Sequence, residues 1–160
     1  MQKLNPMAMP LCGANLIEAS AGTGKTYTIT ALYLRLLLGF SKDGEKQTPL
    51  SIEEILVVTF TEAATAEIKD RVRQRLITLR DKLLGKGTKD EVVNQLFELI
   101  DDHHSAFYRI DSAVKSLDDA VIFTIHGFCQ RMLKQHAFES GMAFNLQFIM
   151  DQSELLETAI

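Results

Sequence analysis

The chain has 160 residues, 46% of them hydrophobic, enough for one domain with a real core. Its formal net charge is -4 and its pI about 5.6, which excludes coating nucleic acid by bulk charge but leaves room for a local basic track. The two cysteines, Cys12 and Cys129, lie far apart at no metal or redox spacing, and no apolar run reaches signal-peptide or membrane-span length. A cytoplasmic protein with reduced thiols is the expectation.

Residues 1–14, with Pro6 and Pro10, read as an irregular lead-in. Leu16 to Ala19 predicts a short buried strand. A loop of small residues follows: Ala19, Ser20, Ala21, Gly22, Thr23, Gly24, then Lys25 and Thr26. This is the spacing of a phosphate-binding loop between a strand and a helix, with Ala19 where the usual pattern has its first glycine. Gly22 and Gly24 permit a tight turn that brings backbone N–H groups to an anion. The helix start adds its positive end, Lys25 reaches the outer phosphates, and the Thr26 hydroxyl suits Mg²⁺.

The helix is expected over Gly24 to Leu38, with Ile29, Leu32, Tyr33, Leu36 and Leu37 on its apolar stripe and Gly39 as its stop. Ser41 to Pro49 is polar and reads as a surface loop. Ile55 to Phe60 is β-branched and apolar, a second strand expected to be buried on both faces. Thr61 caps the next helix, which runs to about Leu84 with Ile68, Val72, Leu76, Leu79 and Leu83 inward. Thr88 and Glu91 have capping-box spacing for a helix ending near Ile100, and an amphipathic segment spans about Ala106 to Leu117. Val121 to Ile125 is a third strand and His126 to Glu139 a helix, with Gly141 at its end. Leu146 to Met150 reads as a fourth extended run, after which Asp151 and Glu154 open a last helix. Strands alternating with long crossovers predict an α/β parallel sheet with helices on both faces, whose ligands gather at the carboxyl ends of the strands.

Two of those ends carry polar and aromatic residues together. Thr59, Phe60, Thr61 and Ala64 close the second strand and open its helix; Thr124, His126, Gly127 and Phe128 do the same for the third. Hydroxyls and a helix N-terminus can hold a nucleic-acid phosphate, and an aromatic ring can stack on a base. The alternative is two capped helices with core aromatics. From Lys69 to Lys82, Lys69, Arg71, Arg73, Arg75, Arg80 and Lys82 face only Asp70 and Asp81, either a backbone track or a solvated face with a Glu67–Arg71 pair. Hydrolysis of a bound nucleotide also needs a carboxylate at a strand end. Asp151 stands after the one suitable run but reads better as a helix cap, and Glu62 is explained by its first-turn position.

The three stretches IEASAGTGKT, ILVVTFTEAATAEIKDRV and VIFTIHGFCQRML resemble, in this order, the first motifs of the UvrD/Rep-like superfamily 1 DNA helicases, and most closely their RecB branch. The segments after the first and third motifs, including AFESGM, are similar too. The resemblance implies a P-loop NTPase (RecA-like) fold, with residues 1–150 the N-terminal part of the first motor domain and 151–160 the start of an inserted helical domain. It implies that Ala19 to Thr26 bind ATP and Mg²⁺, with Tyr27 near the adenine. Thr59, Phe60, Thr61, Ala64, Thr124, His126 and Phe128 would line a single-strand DNA path. It further implies stepping 3′ to 5′ along DNA, a nuclease domain, and assembly with RecC and RecD. One departure concerns the glutamine that reads adenine in many relatives: Leu4 and Asn5 match its context, but Ala8 stands in its place. The family's Asp-Glu metal motif and its second-domain arginines are expected beyond Ile160. Two other readings are a self-contained P-loop kinase or NTPase using Asp151, and a non-enzymatic nucleic-acid-binding module using the basic helix.

Overall fold

The structure, a computed structural model, describes residues 4–18, 22, 24–41 and 46–136. Helix α1 spans Lys25–Leu38. It ends where expected, on Gly39, whose φ of 75° returns its N–H to the last turn. A side chain here would be strained by that φ and would meet the Gln47 carbonyl and the Pro49 ring. The chain doubles back at this point: Phe40 bridges Lys46, and Leu50 N–H donates to the Leu36 carbonyl.

Strand β1 (Val57–Thr59) and strand β2 (Ile122–Thr124) pair in parallel, Val57 with Ile122 and Thr59 with Thr124. Between them run three α-helices, α2 (Glu62–Leu83), α3 (Glu91–Leu99) and α4 (His103–Lys115), and a 3-10 turn at Leu117–Asp119. Helix α5 (Ile125–Gln135) follows β2 directly. Helix α2 is the hub of the packing, touching α1, α3, α4 and both strands. Its Ile68, Val72, Leu76 and Leu79 are buried as their spacing predicts, against Leu34, Leu37, Val93, Leu96, Ile110 and Ile122 in one core.

Several expectations need correcting. Residues 14–18 form no strand, and Leu16 is 89% exposed. The Asn15 amide instead donates to the carbonyls of Pro10 and Cys12, 3.2 Å each, a local alternative to a ladder. β1 is buried on one side only, for Leu56 is 46% and Val58 41% exposed. Among the described residues its sheet has two strands, and this face stays half open to solvent where a parallel sheet ordinarily has both faces covered. The cap of α3 is Asp90, which accepts from the N–H groups of Val92 and Val93, while Thr88 accepts from Asp90 N–H. Helix α4 starts earlier than its apolar pattern, because Asp102 caps it. Gly141, the extended run at Leu146 and the helix from Asp151 lie outside the described residues.

Helix α1 is buried more widely than one stripe allows: Thr28, Thr30, Ala31, Leu34 and Arg35 are buried beside Tyr33 and Leu37. Tyr33 is 1% exposed, and its hydroxyl has no hydrogen-bond partner among the described residues. Burial pushes its pKa up to about 12. A buried polar atom without a partner costs free energy, so Tyr33→Phe is expected to change unfolding stability by no more than about 1 kcal/mol, toward greater stability. Urea unfolding followed by circular dichroism measures this.

Candidate functional site

The phosphate-loop sequence does start a helix. Gly22 and Gly24 both adopt left-handed backbone, φ 77° and 91°, a conformation that favours glycine. The first helical hydrogen bond runs from Thr28 N–H to the Gly24 carbonyl, 2.9 Å. Earlier N–H groups, those of Thr26 and Tyr27 among them, therefore have no acceptor inside the helix. Thr61, Asp90, Asp102 and Thr124 cap the other four α-helices with side chains, but among the described residues none caps α1. Lys25 is exposed at the helix start and Thr26 is half-buried behind it. Ala19, Ser20, Ala21 and Thr23 lie outside the described residues.

Such an end can bind a phosphate through N–H groups, dipole and ammonium together. Mg²⁺ ordinarily keeps several waters and binds through substrate phosphates and few protein groups. Thr26 suits that role; among the described residues, no cluster of His, Cys, Asp or Glu could hold a metal alone.

Tyr27 is braced from α2. The Arg75 guanidinium lies 4.4 Å from the centre of its ring, and Nη1 donates to the Tyr27 carbonyl at 2.8 Å and to Thr30 Oγ1. Nε donates to Asp90 Oδ2 at 3.2 Å. These side chains border a cavity of about 220 Å³. Arg75 therefore belongs to no exposed backbone track. Its spacing could have shown this, since 68, 72, 75 and 79 fall on one helical stripe.

The rest of the basic helix is largely paired. Arg71 meets Glu67 at 3.0 Å, Arg73 meets Asp118 at 2.8 Å, and Arg80 lies between Asp81 and Asp111. Lys82 donates to Asn94 and lies over the Phe97 ring. Lys86 holds the Asp81 carboxyl, and Lys115 the Asp111 carboxyl, below their ordinary values through hydrogen bonds. The solvated-face reading fits this helix better than a phosphate track.

The two strand ends do come together, because Thr59 and Thr124 are register partners. Both threonines are nonetheless buried, and their hydroxyls are engaged inside the protein. Thr59 Oγ1 lies 2.6 Å from Thr65 Oγ1 and donates to the Thr61 carbonyl; Thr61 Oγ1 accepts from Ala64 N–H at 3.1 Å. Thr124 Oγ1 accepts from Gly127 N–H at 3.1 Å and donates to Glu62 Oε1 at 3.1 Å. Outward-facing groups are Phe60, 88% exposed, with Thr61, Ile125 and His126; Phe128 is half-buried. The edge thus offers an exposed aromatic ring and an imidazole above a knot of threonines. Glu62, read from sequence as a first-turn charge alone, is part of that knot. A hydroxyl four residues past Thr61, at Thr65, was the available clue to it.

A family model of the UvrD/REP helicase N-terminal domain matches residues 2–160. The chain belongs to the UvrD/REP helicase family. Its mixed α/β fold with a parallel pair of strands agrees with an incomplete P-loop NTPase domain of that family. It is 53% identical over 154 residues to the RecBCD enzyme subunit RecB of Escherichia coli (strain K12), covering 96% of this chain and 13% of that protein. It is 50% identical over 163 residues to RecBCD enzyme subunit RecB of Haemophilus influenzae, again 96% of this chain and 13% of the relative. For RecBCD enzyme subunit RecB of Chlamydia trachomatis the identity is 39% over 136 residues, 78% of this chain and 12% of the relative. The chain thus spans about 13% of the length of the first two curated relatives. No helix among the described residues is long and apolar enough to cross a membrane.

Proposed function

We propose that this UvrD/REP chain is the nucleotide-binding and strand-contacting start of a RecB-type subunit. The whole protein would be an ATP-dependent DNA helicase and exonuclease of the cytoplasm. It would step 3′ to 5′ along one strand in double-strand break repair and recombination, assembled with RecC and RecD. Residues 1–150 belong on this reading to the first motor domain, and 151–160 open the accessory helical domain.

Ala19 to Thr26 grip ATP, Thr26 shares Mg²⁺ with the phosphates, and Tyr27 lies beside the base. Phe60, Thr61, His126 and Phe128 face single-stranded DNA, while Thr59, Ala64 and Thr124 shape that surface from beneath. The observation that carries this reading is the paired strand end: two parallel strands finish in register, and each delivers an exposed ring at the start of a helix. A module that bound nucleic acid through its basic helix would leave those cations unpaired, and they are engaged.

Calorimetry of the 160-residue chain with Mg·ATP is expected to show weak binding without turnover. Lys25→Ala, by removing a charged contact to the phosphates, should weaken it about tenfold or more. DNA-stimulated hydrolysis by this chain alone would overturn the view that its ATP site is half of a shared one.

A further inference from the structure

Beyond the last sheet pair, Thr59 with Thr124, the two strands diverge into separate helices. The hydrogen bonds of Thr59, Thr61 and Thr65 tie the end of β1 to α2 and do not reach β2. Among the described residues, one side-chain hydrogen bond crosses between the two strand ends. It is the bond from Thr124 Oγ1 to Glu62 Oε1, 3.1 Å long, between residues 62 apart in sequence.

We infer that Glu62 is a positioning residue for the nucleic-acid path, its carboxylate locking the strand end that carries Phe60 and Thr61 to the one that carries His126. The inference rests on the strand-contact reading proposed above.

The Thr124 oxygen accepts from Gly127 N–H, so its own hydrogen must be directed elsewhere, and Glu62 receives it. That fixes the hydroxyl from both sides. Removing Glu62 leaves both helix caps in place, Thr61 on Ala64 N–H and Thr124 on Gly127 N–H. The loss therefore falls on the relative placement of the two ends rather than on either helix. Electrostatics alone predicts the opposite effect on binding. A carboxylate beside a path for phosphates repels them, and deleting it should tighten binding.

The test measures binding of a fluorescent oligo-dT strand by anisotropy to wild type, Glu62→Ala, Glu62→Gln and Phe60→Ala. Glutamine keeps an acceptor for Thr124 and removes the charge. Glu62→Ala is expected to weaken binding about threefold to tenfold, the range of one ordinary net hydrogen bond, since Glu62 is solvent-exposed, while Glu62→Gln binds as wild type or more tightly. Since both variants remove the same charge, their salt slopes should agree. If alanine unfolds the chain by circular dichroism, Glu62→Met takes its place. Alanine or methionine binding as tightly as glutamine overturns the inference while leaving the strand-contact reading intact. Absence of wild-type binding, or a Phe60→Ala variant that binds like wild type, overturns that reading and the inference with it.

Discussion

Replacing Arg35 by alanine should lower the stability of the chain by about 3–5 kcal/mol, the range of a large buried deletion that also strips partners from polar groups. Arg35 is 0% exposed. Its guanidinium donates to the carbonyls of Pro6 and Met9 in the lead-in, and to the Ser41 carbonyl after α1. One rigid fork thus pins the first segment of the chain onto the end of the first helix. Alanine leaves a void and three carbonyls without this donor. Arg35→Met retains most of the volume and separates the two effects: it should recover the packing part and still lose about 2 kcal/mol or more. Arg35→Lys keeps the charge but cannot serve three acceptors in a plane, so it should fall between wild type and methionine. Urea midpoints at constant m-value measure all three. A loss below about 1 kcal/mol for alanine would show that water replaces the fork at little cost. The pinned segment contains Leu4, Asn5 and Ala8, where the family resemblance places its base-reading context.

Arg35 also shows where sequence reasoning stops. Helix α1 was legible in length and end, because Gly39 stops it and its apolar residues repeat at helical spacing. The burial of Arg35 was not, because it bonds a lead-in with no periodicity of its own. Such a cation is indistinguishable from a surface arginine until the carbonyls are placed. Helix α2 was the most legible element: Thr61 as cap and Ile68, Val72, Leu76 and Leu79 as core are all local signals. The strand at Leu16 failed for the complementary reason. A short strand has little stability without a neighbour, and pairing is a property of residues far away in sequence. The candidate site divides in the same manner. The residue types at Thr59 to Thr61 and Thr124 to His126 mark two strand ends, and the fold brings them into register. Which hydroxyls face outward and which turn in depends on Glu62 and Thr65, whose partners are set by tertiary contact.

Arg75→Ala should cost about 2–4 kcal/mol, since it removes a buried cation whose partners then remain in place without it. Arg75 joins three helices: α2 carries it, α1 supplies the Tyr27 carbonyl and Thr30 hydroxyl, and α3 supplies Asp90 at its cap. Its side chain is 11% exposed and that of Asp90 27%, so solvent screens this pair less than the surface pairs farther along the helix. Asp90 accepts from Val92 and Val93 N–H through Oδ1 and from Arg75 through Oδ2, so losing Arg75 should loosen the start of α3 as well. Lysine cannot donate in these three directions while stacking on the Tyr27 ring, and Arg75→Lys should recover less than half of the loss. A double-mutant cycle with Asp90→Ala isolates the ion pair, with an expected coupling of about 1–2 kcal/mol. Coupling near zero would assign the stability to the contacts with Tyr27 and Thr30 instead. Either result bears on the proposed nucleotide site, because Tyr27 follows Lys25 and Thr26 in the first turn of α1 and Arg75 holds that turn against α2. Helix α2 begins at the strand end that presents Phe60, so this arginine joins the phosphate-loop helix to the helix that starts at the proposed DNA-facing edge.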